Sequence, residues 1–471
     1  MVTLPPCLKH LSIMLLPLSL MAQQEDWQGA AKVTTTVVDA FGPRQDLFQA
    51  MAASATRRGC RVAKVIGNIL DGFTVRVDGK SGSRYDEIAV QTPLFSEDGS
   101  SIAYAARRLG DWRWVVNGVE GPAFPELTAT SFAFSANGRH HAYIGIPRFR
   151  RTALVVDGKI QLEAGWDDTM PWDGAPVFNP DGSQLAYVET RHREYKMRIN
   201  LAGRPLPWHE GIALVRSPGF GAYGPSTGAL SGAATERARP EAFGMHFSQD
   251  GQHFAYAMFQ AGLNGLIVDG KQIGLHQAYG FDFTFSPNAS DYACMMWDGD
   301  KRWVISAQRS PLEIEKLFDW SITFSPDGRH LAFGGVRDGR MAVWMDGRPA
   351  PCDMDFKDCP NWKAIQFSPD SKRLAFLVST PTALHWVVDG KADPGAKLIG
   401  TNINLDFSPD SRHYAYAAAD AISDGVRVLV DGRERARHAV IACGPVFRSD
   451  GVLEYLAIEK TELLKYEVRL E

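Results

Sequence analysis

The side chains best suited to chemistry lie in two acidic stretches. In the first, Asp353, Asp355 and Asp358 stand between Cys352 and Cys359. Carboxylates at this spacing can surround Ca²⁺, which takes oxygen ligands. The stretch departs from the EF-hand pattern, and a solvated acidic loop is the alternative. The three aspartates are therefore a candidate calcium site, and the sequence indicates no other cofactor.

The second acidic stretch carries two tryptophans. Asp167, Asp168 and Asp173 form the same kind of candidate ion site, with Trp166 and Trp172 on either side of Asp167 and Asp168. An exposed tryptophan can stack on a sugar ring, because its large apolar face is rigid. Packing between neighbouring sheets is the alternative use of the same two rings.

Short motifs of known enzyme classes assign no catalytic activity to this sequence. It contains no His-Glu-x-x-His. Gly224 to Gly228 matches Gly-x-Ser-x-Gly, and Gly265 to Lys271 matches Gly-x-x-x-x-Gly-Lys without the following Ser or Thr of a phosphate-binding loop. Both motifs act at a turn from a strand into a helix, and the repeat described below predicts no helices. An enzyme that gathers carboxylates from several loops would leave no such motif. Five histidines recur near the start of a predicted strand, which indicates scaffold positions: His140, His141, His253, His330 and His413.

The charge balance gives no reason to expect nucleic acid or an anionic membrane as partner. The formal net charge of the 471 residues is −4, and nucleic-acid binding favours a strongly basic surface. Two short basic clusters, at 148–151 and 433–437, are interpreted as solvated loops.

Residues 1–22 are typical of an export signal. Lys9 and His10 precede an uncharged apolar run from Leu11 to Leu20, and Ala22 offers a small residue for cleavage. A run of about ten residues is too short to span a bilayer. No later segment is long and apolar enough to do so. We therefore expect a secreted or periplasmic protein without a transmembrane segment.

Removal of this signal leaves five cysteines, an odd number. Cys352 and Cys359 can close a small disulfide loop in an oxidising compartment. Cys294 stands inside a predicted strand and is expected to be buried. The other two are Cys60 and Cys443.

A repeat of about 40 residues organises the chain. Nine copies resemble Phe-Ser-Pro-Asp-Gly, and eight of them have alanine eight residues after the phenylalanine. A tenth, worn copy begins at Ala55. The nine phenylalanines are Phe95, Phe134, Phe178, Phe247, Phe285, Phe324, Phe367, Phe407 and Phe447, and the alanines are Ala103, Ala142, Ala186, Ala255, Ala293, Ala332, Ala375 and Ala415.

A second turn follows in most copies, as Asp-Gly or Asn-Gly after an apolar run such as Trp386-Val387-Val388. These dipeptides favour two-residue hairpins. A strand that is apolar on both faces must be covered on both faces. Four-stranded sheets of this kind are stable only when they stack on one another, and a closed ring protects the end sheets. The sequence thus predicts an all-β protein, a β-propeller of about ten four-stranded units over residues 55–471.

The segment from Phe324 to Phe333, Phe-Ser-Pro-Asp-Gly-Arg-His-Leu-Ala-Phe, resembles the WD-like propeller repeats of the TolB type. The resemblance extends from about Ala55 to the C-terminus. It implies the propeller fold, and such repeats serve many functions.

Two features bear on ring closure and on the number of rings. The last unit ends one strand short, and residues 32–38, within an N-terminal segment at 23–54, could supply the missing outer strand. A Gly/Ala/Ser-rich stretch at 203–240 is an insertion, a degenerate unit or a boundary between two rings. One large ring and two smaller propellers both fit the repeat, and we favour one ring.

The absence of a catalytic motif in its required strand-to-helix context favours an exported, non-catalytic propeller that binds a protein, a peptide or a glycan. The alternative is a propeller hydrolase or lyase that acts on a polysaccharide or peptide through loop carboxylates. Side chains that converge at one mouth of the channel would favour this enzyme.

Overall fold

A computed structural model describes residues 30–40, 50–68, 70–89, 92–127, 131–172, 174–212, 244–261, 263–276, 278–298, 301–317, 321–355, 365–394, 398–399, 405–420, 425–459 and 462–470. Regular structure in these ranges is β-strand, apart from one turn of 3-10 helix at His192–Glu194. None of the helical structure within these ranges is long and apolar enough to cross a membrane.

The strands form ten antiparallel sheets, which are the ten blades of one ring. Consecutive strands of a blade are neighbours, and in six blades the first strand consists of two short pieces that pair with the same second strand. Blades 1 to 5 comprise Ala50–Thr56, Gly59–Asn68, Gly72–Val77 and Lys80–Tyr85; Glu87–Ile88, Leu94–Phe95, Ile102–Arg108, Asp111–Val116 and Val119–Glu120; Glu126–Leu127, Ala133–Phe134, His141–Arg148, Arg151–Val156 and Lys159–Gly165; Met170–Pro171, Val177–Phe178, Leu185–Arg191, Lys196–Leu201 and Arg204–Pro205; and Gly211–Ile212, Met245–Phe247, Phe254–Gln260, Leu263–Val268 and Lys271–His276.

Blades 6 to 10 follow the same order along the chain. They comprise Ala278–Phe285, Tyr292–Asp298, Lys301–Ser306 and Leu312–Ile314; Lys316–Leu317, Thr323–Phe324, Leu331–Arg337, Arg340–Met345 and Arg348–Pro349; Ile365–Phe367, Leu374–Ser379, Leu384–Val388 and Lys391–Ala392; Leu398–Ile399, Asp406–Phe407, Tyr414–Ala419, Val426–Val430 and Arg433–His438; and Val440–Phe447, Leu453–Glu459, Glu462–Leu470 and Ala30–Ala40. The predicted all-β propeller of ten units is confirmed. The alternative of two smaller propellers is wrong.

The stretch predicted as an insertion falls mostly outside the described residues. Arg204–Pro205 is the last strand of blade 4, whereas Gly211–Ile212 and Met245–Phe247 are the two pieces of the first strand of blade 5. Residues 213–243 therefore lie between two pieces of one strand, and the described residues on either side of them add no further blade.

The N-terminal strand closes the ring. Ala30–Ala40 is the fourth strand of blade 10 and pairs antiparallel with Glu462–Leu470 through nine residue pairs. The prediction of a closing strand at residues 32–38 is confirmed, and the strand extends two residues further at each end. Asp39 near its end forms a buried ion pair with Lys64 of blade 1, at 2.9 Å between carboxylate and ammonium.

A second contact at the closure joins three blades. Arg57, in the first turn of blade 1, donates to the Asp406 carboxylate of blade 9 at 3.0 Å and to the Phe447 carbonyl of blade 10 at 2.8 Å. The Phe447 amide also donates to Asp406, at 2.6 Å. Desolvation outweighs these favourable contacts and raises the pKa of Asp406 to about 6.

This raised pKa predicts a pH dependence of stability. The folded state holds the Asp406 proton more tightly than the unfolded chain, whose pKa is near 3.8. Its contribution to stability is therefore present below pH 3.8 and is lost as the pH rises through 6, by up to about 3 kcal/mol. We expect wild type to lose stability relative to Asp406→Asn between pH 4 and pH 7 (a range of about three units). Denaturant unfolding of both proteins across this range measures it, and a constant difference would contradict the shift.

The repeated alanines lie where neighbouring blades meet. All eight have no exposed surface, and Ala63 of the worn first copy matches them. A larger side chain there would force neighbouring sheets apart, because protein interiors are close-packed. The third strands are likewise covered on both faces, since Trp386 and Val387 are both fully buried.

The repeated phenylalanines are less uniformly buried than their regularity suggests. Phe324, Phe407 and Phe447 are buried, whereas the other six are half-buried. The serine that follows most of them is the more buried residue. Its hydroxyl donates to the Asp or Asn two residues later and accepts from the amide five residues after it, as in Ser325, at 2.6 and 2.9 Å. Burial of this polar group is compensated by these two hydrogen bonds.

A pair of phenylalanines tests this difference in burial. Phe447 has no exposed surface, and we expect Phe447→Ala to lower the free energy of unfolding by about 3–5 kcal/mol. Phe178→Ala, at the equivalent half-buried position, should cost roughly half as much, because less apolar surface is lost. Denaturant unfolding monitored by circular dichroism compares them. Equal losses for the two variants would contradict the argument.

Candidate functional site

The candidate calcium site is only partly within the described residues. The Asp353 carboxylate accepts the Ala392 amide at 3.0 Å, and the Asp353 amide donates to the Gly390 carbonyl. Asp355 is exposed, and Asp358 lies outside the described residues. Within the part of the chain that the structure describes, no three His, Cys, Asp or Glu side chains are grouped as a metal site. Calcium binding here stays a prediction.

The predicted disulfide also involves a residue outside the described ranges, Cys359. Cys352 carries a free thiol, which donates to the Met354 carbonyl at 3.2 Å. In the second acidic stretch, Asp167 forms an exposed ion pair with Arg193 of blade 4. Asp173 is outside the described residues, so the candidate ion site there also stays a prediction.

The recurring histidines belong to the scaffold. Each of His140, His253, His330 and His413 contacts the aspartate of its blade's Asp-Gly turn, with Nδ1 to carboxylate distances of 2.6–2.8 Å. The other oxygen of that aspartate accepts the amide of the residue after the histidine, as His141 donates to Asp157 at 3.0 Å. Arg61 and Arg373 replace histidine in two other blades.

These turns occupy one face of the ring. Strands alternate in direction, so the turns between strands 1 and 2 and between strands 3 and 4 emerge on the same face. The turns between strands 2 and 3, and the connections between blades, emerge on the opposite face. This second face carries a surface cavity that combines charged and aromatic side chains.

That cavity, which we call the Arg–Trp pocket, lies between blades 3 and 4 and has a volume of about 330 Å³. Three segments form it: the turn at 148–151 between strands 2 and 3 of blade 3, the connection after Gly165, and the 3-10 turn at His192–Glu194 of blade 4. The residues that matter for its chemistry are Glu126, Arg148, Phe149, Arg150, Trp166 and His192.

Aromatic rings and a guanidinium pack together at this pocket. Trp166 stacks on His192, with ring centroids 3.9 Å apart. The Arg150 guanidinium lies 4.5 Å from the Trp166 ring and 5.1 Å from the Phe149 ring. Phe149 itself is 82% exposed, and Tyr195 nearby is 81% exposed. Large apolar surface is thus presented to solvent beside positive charge.

Among the described residues, the positive charge at the pocket is only partly neutralised. Arg151 pairs with Glu163 at 2.9 Å, and Arg193 pairs with Asp167. Arg148 and Arg150 form no ion pair with any described residue, although Glu126 also lines the pocket. The site therefore offers two arginines for an external anion.

Sequence reasoning interpreted the two halves of this pocket separately. The cluster at 148–151 was expected to be a solvated loop, and Trp166 was considered for sugar stacking or packing. The structure brings them together across a blade boundary. The sequence did contain one signal of an exposed binding surface, which is Phe149 within a tight turn of arginines. Such a turn cannot bury the phenylalanine ring. Trp172 packs against the buried cluster around Ile199 and Met258. This is the packing between neighbouring sheets that was the alternative to sugar stacking.

No family model matches the chain, and no curated protein matches it. Solved structures similar to it include a crystal structure of the eukaryotic initiation factor, with 11% identity, a TM-score of 0.43 and coverage of 89% of this chain and 98% of that chain. TolB from Acinetobacter baumannii is 15% identical, with a TM-score of 0.25 and coverage of 60% of this chain and 65% of that chain. The Dos1 propeller is 13% identical, with a TM-score of 0.33 and coverage of 73% of this chain and 92% of that chain. TolB and other propellers are thus structural neighbours, at a distance that assigns neither family nor function.

Proposed function

We propose that this chain is a non-catalytic interaction module, and that its Arg–Trp pocket binds a protein segment carrying carboxylates beside an apolar side chain. One observation carries the proposal. Arg148 and Arg150, which have no acidic partner among the described residues, lie at the same pocket as the exposed ring of Phe149. Arginine and aromatic residues are enriched among the residues that dominate binding energy at interfaces.

The chemistry of the occupant follows from these side chains. A guanidinium binds a carboxylate through two parallel hydrogen bonds, which makes arginine suited to acidic segments. The cavity of about 330 Å³ is at the small end of ligand pockets. It accommodates one or two side chains rather than a folded domain. The partner would therefore insert a short acidic segment with one apolar anchor.

Trp166 is less suited to a glycan than its sequence context suggested. A sugar stacks on a bare aromatic face, whereas the Trp166 ring already contacts His192 and Arg150. A sugar would have to displace one of them. The hydrolase or lyase alternative needs carboxylates gathered from several loops, and no observation in the described residues favours it.

The proposal includes export, which depends on residues 1–22 alone. These residues lie outside the described ranges. Expression with the native N-terminus and mass determination of the mature protein tests it, since cleavage after Ala22 would leave Gln23 as the first residue.

A displayed library of random short peptides tests the binding proposal. We expect wild type to enrich peptides in which Asp or Glu stands beside an aromatic or aliphatic residue. The double variant Arg148→Glu/Arg150→Glu should weaken binding of those peptides by at least about thirtyfold. Added salt should weaken the wild-type complex as well, because the contacts are charged.

Arg433→Glu is the matched control, since Arg433 is an exposed arginine on the last strand of blade 9, in the other basic cluster. It should bind the same peptides as wild type does. Enrichment of peptides without acidic residues, or equal binding by the double variant, would contradict the proposal.

A further inference from the structure

Two cysteine thiols meet where the first and last blades pack together. Cys60 lies on the second strand of blade 1, and Cys443 lies on the first strand of blade 10. They are 5% and 0% exposed and belong to one apolar cluster with Leu456. Burial, and next the neighbouring Cys443 side chain, raises the pKa of the Cys60 thiol, whose sulfur donates to the Glu454 carbonyl at 3.8 Å. The two side chains therefore lie in one packed cluster although most of the chain separates them in sequence.

This position matters because of how the ring is closed. Every blade is joined to the next by the chain itself, including blade 10 to blade 1, since Ala30–Ala40 continues towards Ala50–Thr56. The exception lies within blade 10, where no covalent connection joins Ala30–Ala40 to Glu462–Leu470 and the two strands are held by pairing. The ring opens only where these two strands part. A covalent bond between blades 1 and 10 would bypass that joint.

We propose that Cys60 and Cys443 form a disulfide that closes the propeller covalently when the protein folds in an oxidising compartment. The bond forms by exchange with an external disulfide, either of a protein oxidase or of a small molecule such as oxidised glutathione. One thiolate attacks that disulfide, and a mixed disulfide forms as one external thiol leaves. The second cysteine then attacks its partner's sulfur and releases the other external thiol. Two protein thiols lose two electrons and two protons, and the external disulfide is reduced to two thiols.

The exchange has to occur while the blades are still docking. The buried Cys60 thiol, with its raised pKa, is a poor nucleophile. The docked interface therefore protects the redox state in which it encloses the two cysteines. The neighbouring Glu454 carboxylate accepts the Cys60 amide at 2.7 Å, and this hydrogen bond aligns the two strands before the bond forms.

The assignment also accounts for the odd number of cysteines beyond residue 22. With Cys60 paired to Cys443, three remain. Cys352 and Cys359 are close in sequence, and Cys294 is buried in a separate cluster with Phe283. Cys294 is then the cysteine without a cysteine partner.

Peptide mapping of the full chain tests the proposal. The protein is refolded with a mixture of oxidised and reduced glutathione, unfolded in denaturant with an alkylating agent, and digested without reduction. We expect mass spectrometry to find the peptides of Cys60 and Cys443 linked and Cys294 alkylated. Reductant should lower the Tm of this protein by at least about 3 °C, and Cys294→Ser should behave in the same way.

Cys60→Ala and Cys443→Ala should each abolish the link and reduce the effect of reductant on Tm to whatever a bond between Cys352 and Cys359 contributes. The mapping of the wild-type protein decides the question even if these variants fail to fold. Full alkylation of both cysteines in protein that circular dichroism shows to be folded would overturn the proposal. So would linkage of either one to Cys352 in place of the other.

Discussion

Deletion of residues 23–40 is expected to destroy the closed ring and to leave a protein that is largely unfolded or aggregated at room temperature. The deletion removes the nine residue pairs with Glu462–Leu470 and exposes that strand as an open edge. Exposed edges are sites of aggregation. It also removes Asp39 from the buried ammonium of Lys64, and the loss of one member of a buried ion pair alone costs about 3–5 kcal/mol. The total is comparable with the whole stability of an ordinary domain.

Circular dichroism melting and size-exclusion chromatography measure this effect, in reducing buffer so that the cysteines stay as thiols. Deletion of residues 23–29 is the matched control, because it shortens the N-terminus and leaves Ala30–Ala40 intact. The control should melt as the full-length chain does. A 23–40 deletion that stayed monomeric with an unchanged Tm would show that strand pairing at the termini does not hold the ring.

Glu454→Ala is expected to cost about 3–5 kcal/mol, a large effect for a single substitution. Glu454 is 1% exposed, and its carboxylate accepts the Cys60 amide at 2.7 Å. Lys465 lies 3.2 Å and Arg448 3.3 Å from the same carboxylate. Alanine would leave a buried amide without this acceptor and two cations without this anion. Because Cys60 belongs to blade 1 and Glu454 to blade 10, the loss falls on the closure of the ring.

Glu467→Ala is the control for this substitution. Glu467 pairs with the same Arg448 but is 31% exposed, and such pairs contribute less than about 1 kcal/mol. Denaturant unfolding under reducing conditions compares the two variants with wild type. A loss at Glu467 as large as that at Glu454 would show that burial of the carboxylate does not set the effect. Glu454→Gln should recover part of the loss, since an amide oxygen still accepts the Cys60 amide.

The part of the fold that the sequence predicted correctly is the part that repeats. Each alanine eight residues after a phenylalanine, such as Ala332, is buried because every blade meets its neighbours in the same way. The Thr/Val-rich run at 32–38 was recognised as the closing strand because the last unit visibly lacked one. Local turn chemistry likewise marked Asp346 and its equivalents, which adopt the left-handed conformation that the hairpin requires.

The features that were missed depend on contacts between units. The burial of Ser325 was not expected, because a hydroxyl is buried only where it has partners, and those partners are set by the turn geometry. Phe178 and Phe447 occupy the same repeat position, yet only Phe447 is fully buried. Phe447 packs in one cluster with Ala415 and Val428 of the neighbouring blade 9.

The chain's own pattern thus predicted the strands, their turns, a number of units near ten and a candidate closing strand, because period, turn residues and apolar alternation act over short distances along the sequence. Only the tertiary structure decided that one ring forms, that the turn at 148–151 faces Trp166, and that Cys60 meets Cys443. These residues are far apart in sequence and belong to different blades. Their proximity follows from the rotation between blades and from closure of the ring, which no short segment encodes by itself.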